Sequence, residues 1–292
     1  MRMSGFLSVA LLVLLAAPAS GQWYDTSEVP GGVGDIIPPF TLKGFNLGSG
    51  GEVSSWLAPG TDPKVTAIST LIRGGFTFSD MPLYLGLEVP LSYYTADNSS
   101  QFVIGNVGLG VKYRLDPFEK SLEIYTGWSL DVYLPTAWID NKDIGTALKQ
   151  MTAHGFGVMN SLMPGLNIPE SLAIVATFDV VKPGQIVYFQ AEISPAVYIP
   201  VSDTDTRETS GAFIWAAAAG IHIIDEVAFL LEFKGYTPIN VEGASTFMAI
   251  SPGFRLKFGF FEPAIWVSIP LDSDYRNASP DVIVGFDLSF WF

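Results

Sequence analysis

From Asp281 to Phe292 the chain alternates in character. Val282, Val284, Phe286, Leu288, Phe290 and Phe292 are apolar, and the positions between them include Asp281, Gly285, Asp287 and Ser289. Successive side chains of a strand leave opposite faces, so a period of two predicts a strand with one apolar and one wet face. The pattern recurs upstream. Phe102–Arg114 places Val103, Val107, Leu109, Val111 and Tyr113 on one face, against Asn106, Gly108, Gly110, Lys112 and Arg114. Ser121–Leu134 separates Leu122, Ile124, Trp128, Leu130 and Val132 from Glu123, Tyr125, Gly127, Ser129, Asp131 and Tyr133. Gln185–Ile199 sends Val187, Phe189, Ile193 and Val197 one way, and Tyr188, Gln190, Glu192 and Ser194 the other. Val65–Phe78, Leu83–Tyr93, Leu172–Val180, Gly211–Ile223, Glu226–Tyr236, Thr246–Phe258 and Phe260–Leu271 read alike.

Composition decides what these strands face. Apolar residues make up 49% of the 292, charged residues 15%, and mean hydropathy is +0.35. A helix crossing a bilayer needs roughly 18–20 consecutive apolar residues. Beyond the N-terminal leader the longest candidate, Ser210–Ile224, contains Gly211, Gly220 and His222 and stops at Asp225-Glu226. High hydrophobicity carried by short alternating segments is the signature of membrane-spanning strands, where every second residue meets lipid. Backbone groups inside a bilayer must all be paired within the protein, so such strands close into an antiparallel up-and-down barrel.

The connections alternate as well. Those near Ser79–Met81, Leu115–Lys120, Lys182–Gly184, Ile224–Asp225 and Gly259 are short. Thr95–Gln101, Pro135–Glu170, Val201–Thr209, Thr237–Ala244 and Asp272–Pro280 are longer and more polar. Short turns on one rim and long loops on the other fit a transmembrane barrel with periplasmic turns and external loops. If the final strand ends at the short-turn rim, one further strand must bring the chain up to Val65. Thr41–Leu57, with Phe45, Leu47, Val53 and Leu57 on one parity, supplies it. The total is about twelve strands, an even number as an up-and-down barrel requires.

The N-terminus has the layout of a secretory signal peptide over residues 1–21: Arg2, an uncharged apolar run from Phe6 to Ala17, then Ala17-Pro18-Ala19 or Ala19-Ser20-Gly21 for cleavage. Residues 22–40, rich in Pro and Gly, are expected to form a periplasmic tail or a plug segment, and residues 41–292 the barrel. The chain has no Cys, which excludes disulfides, thiolate metal sites and a lipid-anchored terminus. Its net charge of −14 argues against nucleic acid and anionic headgroups as general partners.

A last strand ending on Phe290 and Phe292 resembles the closing strand of bacterial outer-membrane barrels, and the resemblance implies that the barrel-assembly machinery reads this terminus. Three further segments resemble the outer-membrane channel family associated with phenol and aromatic degradation. They are Val107-Gly108-Leu109-Gly110-Val111-Lys112-Tyr113-Arg114, Leu130-Asp131-Val132-Tyr133-Leu134-Pro135-Thr136, and Ser251-Pro252-Gly253-Phe254-Arg255-Leu256. Ala137 stands where that family has glycine after Leu-Pro-Thr. The resemblance implies the barrel fold, an outer-membrane location and a general transport role.

Charged side chains are not tolerated facing lipid at mid-depth, so parity assigns them to the lumen. The expected lining is Arg73, Glu88, Lys112, Arg114, Glu123, Asp131 and Asp179 in the first half. Glu192, Glu232, Lys234, Arg255, Lys257, Glu262 and Asp287 complete it, with His222 and Glu226 at the same rim. These groups either interlock and fill a narrow interior or form a constriction that selects small solutes. The acidic excess favours cations or neutral solutes as passengers. The long connection Pro135–Glu170, with a helix-like stretch at Asp143–Met151, is a candidate lid.

Other classes fit less well. Only His154 and His222 are present, neither at a spacing that builds an acyl-transfer site, although His154 near Asp140 and Asp143 is a conceivable rim site for a hydrolase. No His/Asp/Glu cluster has metal-ligand spacing, and no cofactor is implied. Gly105-Asn106-Val107-Gly108-Leu109-Gly110 lies inside an alternating strand, which removes a phosphate-loop reading. The expectation is a passive, narrow, non-catalytic channel for small solutes or cations, with outer-membrane lipid and the assembly machinery as its other partners. An anchoring or adhesion barrel with a filled lumen is the first alternative, and a rim hydrolase the second.

Overall fold

Beta structure accounts for all the regular elements among the described residues, and thirteen strands run in one continuous antiparallel sheet. They are β1 (Gly50–Ala58), β2 (Val65–Thr77), β3 (Leu83–Ala96), β4 (Ser99–Ile104), β5 (Gly108–Leu115), β6 (Tyr125–Tyr133) and β7 (Ser171–Lys182). There follow β8 (Val187–Pro200), β9 (Ser210–Ile224), β10 (Val227–Ile239), β11 (Phe247–Leu256), β12 (Phe261–Pro270) and β13 (Ile283–Trp291). The computed structural model describes residues 50–58, 65–78, 83–96, 99–115, 124–137, 170–182, 186–201, 208–224, 226–240, 246–271 and 282–291.

The sheet closes on itself. β13 pairs antiparallel with β1, Gly50 opposite Trp291 and Leu57 opposite Val284, while β1 pairs with β2 and β2 with β3. An antiparallel ring needs an even number of staves. The thirteen strands satisfy this because β4 and β5 both pair with β3 and form one stave, which gives the expected twelve-stranded barrel.

The break in that stave is a β-bulge. Leu91 is opposite Ile104 and Glu88 opposite Gly108, so Val89 and Pro90 face three residues, Gly105, Asn106 and Val107. The extra residue reverses the side-chain parity of β4 relative to β5. Val103 therefore points inward and is buried, while Phe102 and Ile104 are exposed outside. Uniform alternation through Phe102–Arg114 had placed Val103 on the apolar outer face, and the bulge corrects that. Pro90 supplies part of the reason: it has no N–H for the ladder, and proline is confined to bulges and edges for that cause. Its carbonyl still accepts from Gly105 N at 2.9 Å.

Residues following β6 lock the bulge. Thr136 Oγ1 accepts from Val107 N and donates to Gly105 O, both at 2.8 Å. Buried Asn106 accepts from Ala137 N at 3.0 Å through Oδ1, and its Nδ2 donates to Ser171 O at 3.4 Å. The Leu134-Pro135-Thr136 segment thus has a structural task, and Ala137 contributes its backbone N–H.

A second correction concerns the rim. Thr95–Gln101, expected as a longer loop, is ladder: Thr95 pairs with Ser100 and Tyr94 with Gln101, and only two residues separate Ala96 from Ser99. Those two, Asp97 and Asn98, lie outside the described residues. The connection between β5 and β6 also departs from expectation: nine residues separate these strands at the short-turn rim, against six between β1 and β2 and seven between β10 and β11 at the long-loop rim.

Burial is inverted relative to a water-soluble protein. Phe178, Phe189, Phe213, Ile221, Phe254, Ile265 and Phe286 are exposed, whereas Asp179, Glu232, Arg255, Asp287 and Ser289 are buried. An apolar belt outside and a polar interior have one compatible solvent, a bilayer.

Candidate functional site

The inner face carries its charges in two groups. The first lies at the closing seam. Glu52, Arg73 and Glu88 share one cross-strand row through β1, β2 and β3. The Arg73 guanidinium sits 3.2 Å from Glu88 Oε1 and 3.7 Å from Glu52 Oε1. Ser54 Oγ donates to Glu52 at 2.6 Å, and Tyr133 OH donates to Glu88 Oε2 at 3.0 Å. On the other side of the seam Arg255 of β11 and Asp287 of β13 are 3.6 Å apart, reaching over β12 where the residue in register is Ala264. Arg255 NH1 donates to Ser289 Oγ and Trp266 Nε1 to Asp287 Oδ2, each at 3.1 Å. Burying a charge is costly unless it is paired, and each charged group named here has an ion-pair partner.

The second group spans β5 to β10. Lys112 Nζ lies 3.1 Å from Asp179 Oδ2, crossing β6 at Gly127 and Ser129, whose small side chains leave the path clear. Asp131, opposite Gly110, accepts from Ser129 Oγ at 3.2 Å. Asp179 stands directly opposite Glu192 on β8. Glu192 is then in register with Ala216 and Lys234, and Gln190 with Ala218 and Glu232. Buried Ala216 and Ala218 hold the β9 wall low between these polar side chains.

Inward aromatic residues lie along the wall, Tyr188 and Trp266 among them. Tyr188 is opposite Gly220 and Trp266 opposite Gly285, and a Cβ on either glycine would overlap the facing ring. An aromatic ring laid over a cross-strand glycine covers backbone that would otherwise be bare, and it pins register. Glycine is required at both places by that close approach.

Within the strands, eight inward carboxylates (Glu52, Glu88, Asp131, Asp179, Glu192, Glu232, Glu262, Asp287) face four bases (Arg73, Lys112, Lys234, Arg255) among the described side chains. The interior is therefore electronegative. It is also tightly lined: Leu71, Val175, Tyr188, Leu230 and Asp287 are all 0% exposed.

The remaining expected positions lie near the rim or outside the described residues. Arg114 belongs to β5, but its side chain is outside the described set, as are Glu123, His154 and Phe292. Lys257 follows β11 half-buried, its N–H donating to Glu226 O at 2.8 Å, and Glu226 is exposed in the β9–β10 turn. His222 is half-buried at the same rim. Phe290 packs its ring 5.2 Å from Phe261 on the outer face. Among the described residues, no group of three or more His, Cys, Asp or Glu is arranged to hold a metal ion.

Glu52 and Gln190 join the site without having been singled out from the sequence. Val53 and Leu57 on the apolar parity of the first strand had already implied that Glu52 faces inward. Gln190 sat on the polar face of its strand, uncharged and so passed over.

Comparison with known proteins bears on the architecture. No family model matches the chain, and no curated protein matches it. Among solved structures it is similar to the COG4313 outer membrane channel from Pseudomonas putida F1, with a TM-score of 0.61 at 12% identity over 88% of this chain and 100% of that one. The likeness is one of fold. The NanC porin follows, with a TM-score of 0.54 at 9% identity over 83% of this chain and all of that one. The translocator domain of the autotransporter NalP from Neisseria meningitidis has a TM-score of 0.50 at 10% identity, covering 85% and 90%. A channel, a porin and a translocator on one architecture mean that the activity must be argued from the inner face.

Proposed function

We propose that this protein is a passive channel of the bacterial outer membrane, narrow, non-catalytic, and more permeable to small cations and neutral solutes than to anions. The observation that carries the reading is the inner carboxylate excess, above all the opposed Asp179 and Glu192 on adjacent strands. In a low-dielectric barrel an unbalanced ring of like charge concentrates counter-ions and repels co-ions. The likeness of fold to an outer membrane channel and a porin supports the same reading.

In this reading residues 1–21 direct export, residues 22–40 lie at the periplasmic side, and Phe290 and Phe292 engage the assembly machinery. The short-turn rim is periplasmic. The strand segments quoted above support kinship with channels associated with aromatic degradation, and they leave the solute itself open.

A second reading draws on the complete burial of Leu71, Tyr188, Leu230 and Asp287: a filled barrel that serves as an anchor. One experiment separates the two. The mature chain is refolded into detergent, checked for a heat-dependent gel shift and inserted into a planar bilayer under a KCl gradient. Discrete current steps with a cation-biased reversal potential are expected. A folded, inserted and electrically silent protein overturns the channel in favour of the anchor.

A further inference from the structure

On the outer face, the half of the wall near the short-turn rim contains a groove of about 480 Å³, running over β7 to β11. Its floor is made by Ala191, Ala217 and Ala219, and its walls include Val180, Phe189 and Phe233. Lys182 lines it as well, and it is the charged side chain of the set.

The register explains the shape. Ala191 is opposite both Val180 and Ala217, and Phe189 is opposite both Lys182 and Ala219. Most other outward positions on these strands are bulky, as at Phe178, Ile193, Phe213 and Ile221, with Ala176 an exception. Alanine is depleted in strands, where large side chains gain more from contact with their neighbours. Three outward alanines side by side forfeit that contact and leave a slot that something else must fill.

Charge indicates the occupant. Along β7 the outward residues above the rim are Leu172, Ile174, Ala176, Phe178 and Val180, and Lys182 comes next. The lysine thus stands where the apolar belt ends, its stem against the groove and its ammonium free to reach the headgroup layer. A second copy of the chain packed here about a two-fold axis along the membrane normal would set like charges at the same depth. An acyl chain beneath a phosphate meets both features, the apolar slot and the cation above it. The acidity of the whole chain opposes general attraction to anionic lipid, so Lys182 acts as a local exception.

We infer that this groove binds one phospholipid of the short-turn leaflet, with an acyl chain over Ala191, Ala217 and Ala219 and an anionic headgroup at Lys182. The inference rests on the outer face lying in a bilayer and not on conduction, so a silent barrel leaves it intact.

Native mass spectrometry of the folded mature protein in detergent, titrated with phosphatidylglycerol or phosphatidylethanolamine, tests it. The wild type should retain a single phosphatidylglycerol more strongly than phosphatidylethanolamine. Lys182→Gln should bring the two lipids to parity. Ala217→Leu with Ala219→Leu, which fills the slot on a face that accepts leucine, should reduce retention of both at least tenfold while keeping the gel shift. Retention by the filled variant equal to wild type overturns the inference. So does an unsaturating ladder of adducts on the wild type, or a dimer mass that the filled variant abolishes.

Discussion

Asp179 and Glu192 occupy facing positions on β7 and β8, two carboxylates on one rung of the barrel's inner wall. Lys112 reaches the first of them from across β6, at 3.1 Å. Like charges placed opposite each other on a sheet are unfavourable, and this rung sets two carboxylates side by side on the inner wall. Neutralising one of them should show directly in the current. With Glu192→Gln, the reversal potential under a KCl gradient is expected to move toward zero, and Glu192→Lys should carry it past zero toward anion preference. An unchanged reversal potential in both would remove this rung from the permeation path.

Arg255 and Asp287 make a different prediction. Removing one partner of a buried ion pair costs about 3–5 kcal/mol, because the survivor stays buried without compensation. Arg255→Met should therefore lower unfolding stability in detergent by roughly that amount. Adding Asp287→Asn should restore more than half of it, since the amide oxygen still accepts from Trp266 Nε1. Denaturant titration followed by tryptophan fluorescence measures both.

The Tyr188 ring leaves no room for a side chain on Gly220. Gly220→Val should cost about 1–3 kcal/mol by overpacking. In a Tyr188→Ala background the same change should cost much less, and the double-mutant cycle gives the coupling. Additive effects would mean that ring and glycine are independent.

Thr136 bridges both sides of the bulge through one hydroxyl. Thr136→Val keeps the shape and removes the acceptor of Val107 N, at an expected loss of about 0.5–1.5 kcal/mol. Thr136→Ser should stay near wild type. Equal stability of the two variants would show that the hydroxyl does not hold the bulge.

Much of this molecule was legible from period-two alternation, because lipid outside and polar groups inside leave each strand position one tolerable identity. The bulge was not, and the reason is local. Phe102, Val103 and Ile104 are all apolar, so either parity reads equally well there, and one extra residue at Gly105-Asn106-Val107 leaves no trace in the hydrophobic pattern. The ion pairs were hidden for another reason. Lys112 meets Asp179 over β6, and Arg255 meets Asp287 over β12. Such contacts depend on small residues in the skipped strand, Gly127 and Ala264, and on the stagger of the ring. Alternation assigns each charge a face, and register decides which charges meet.

The pairing of Gly50 with Trp291 joins two segments from opposite ends of the barrel sequence. Bringing such distant segments together carries an entropic cost that contacts between chain neighbours avoid. Without that rung the sheet would be a curled ribbon with two bare edges, each a template for a neighbouring ribbon. Because the joined ends meet at one rim, a short linker between them with a new opening at Asp97-Asn98 would give the same ring from a rearranged reading frame. The circle, and not the position of the break in it, is what the twelve staves encode.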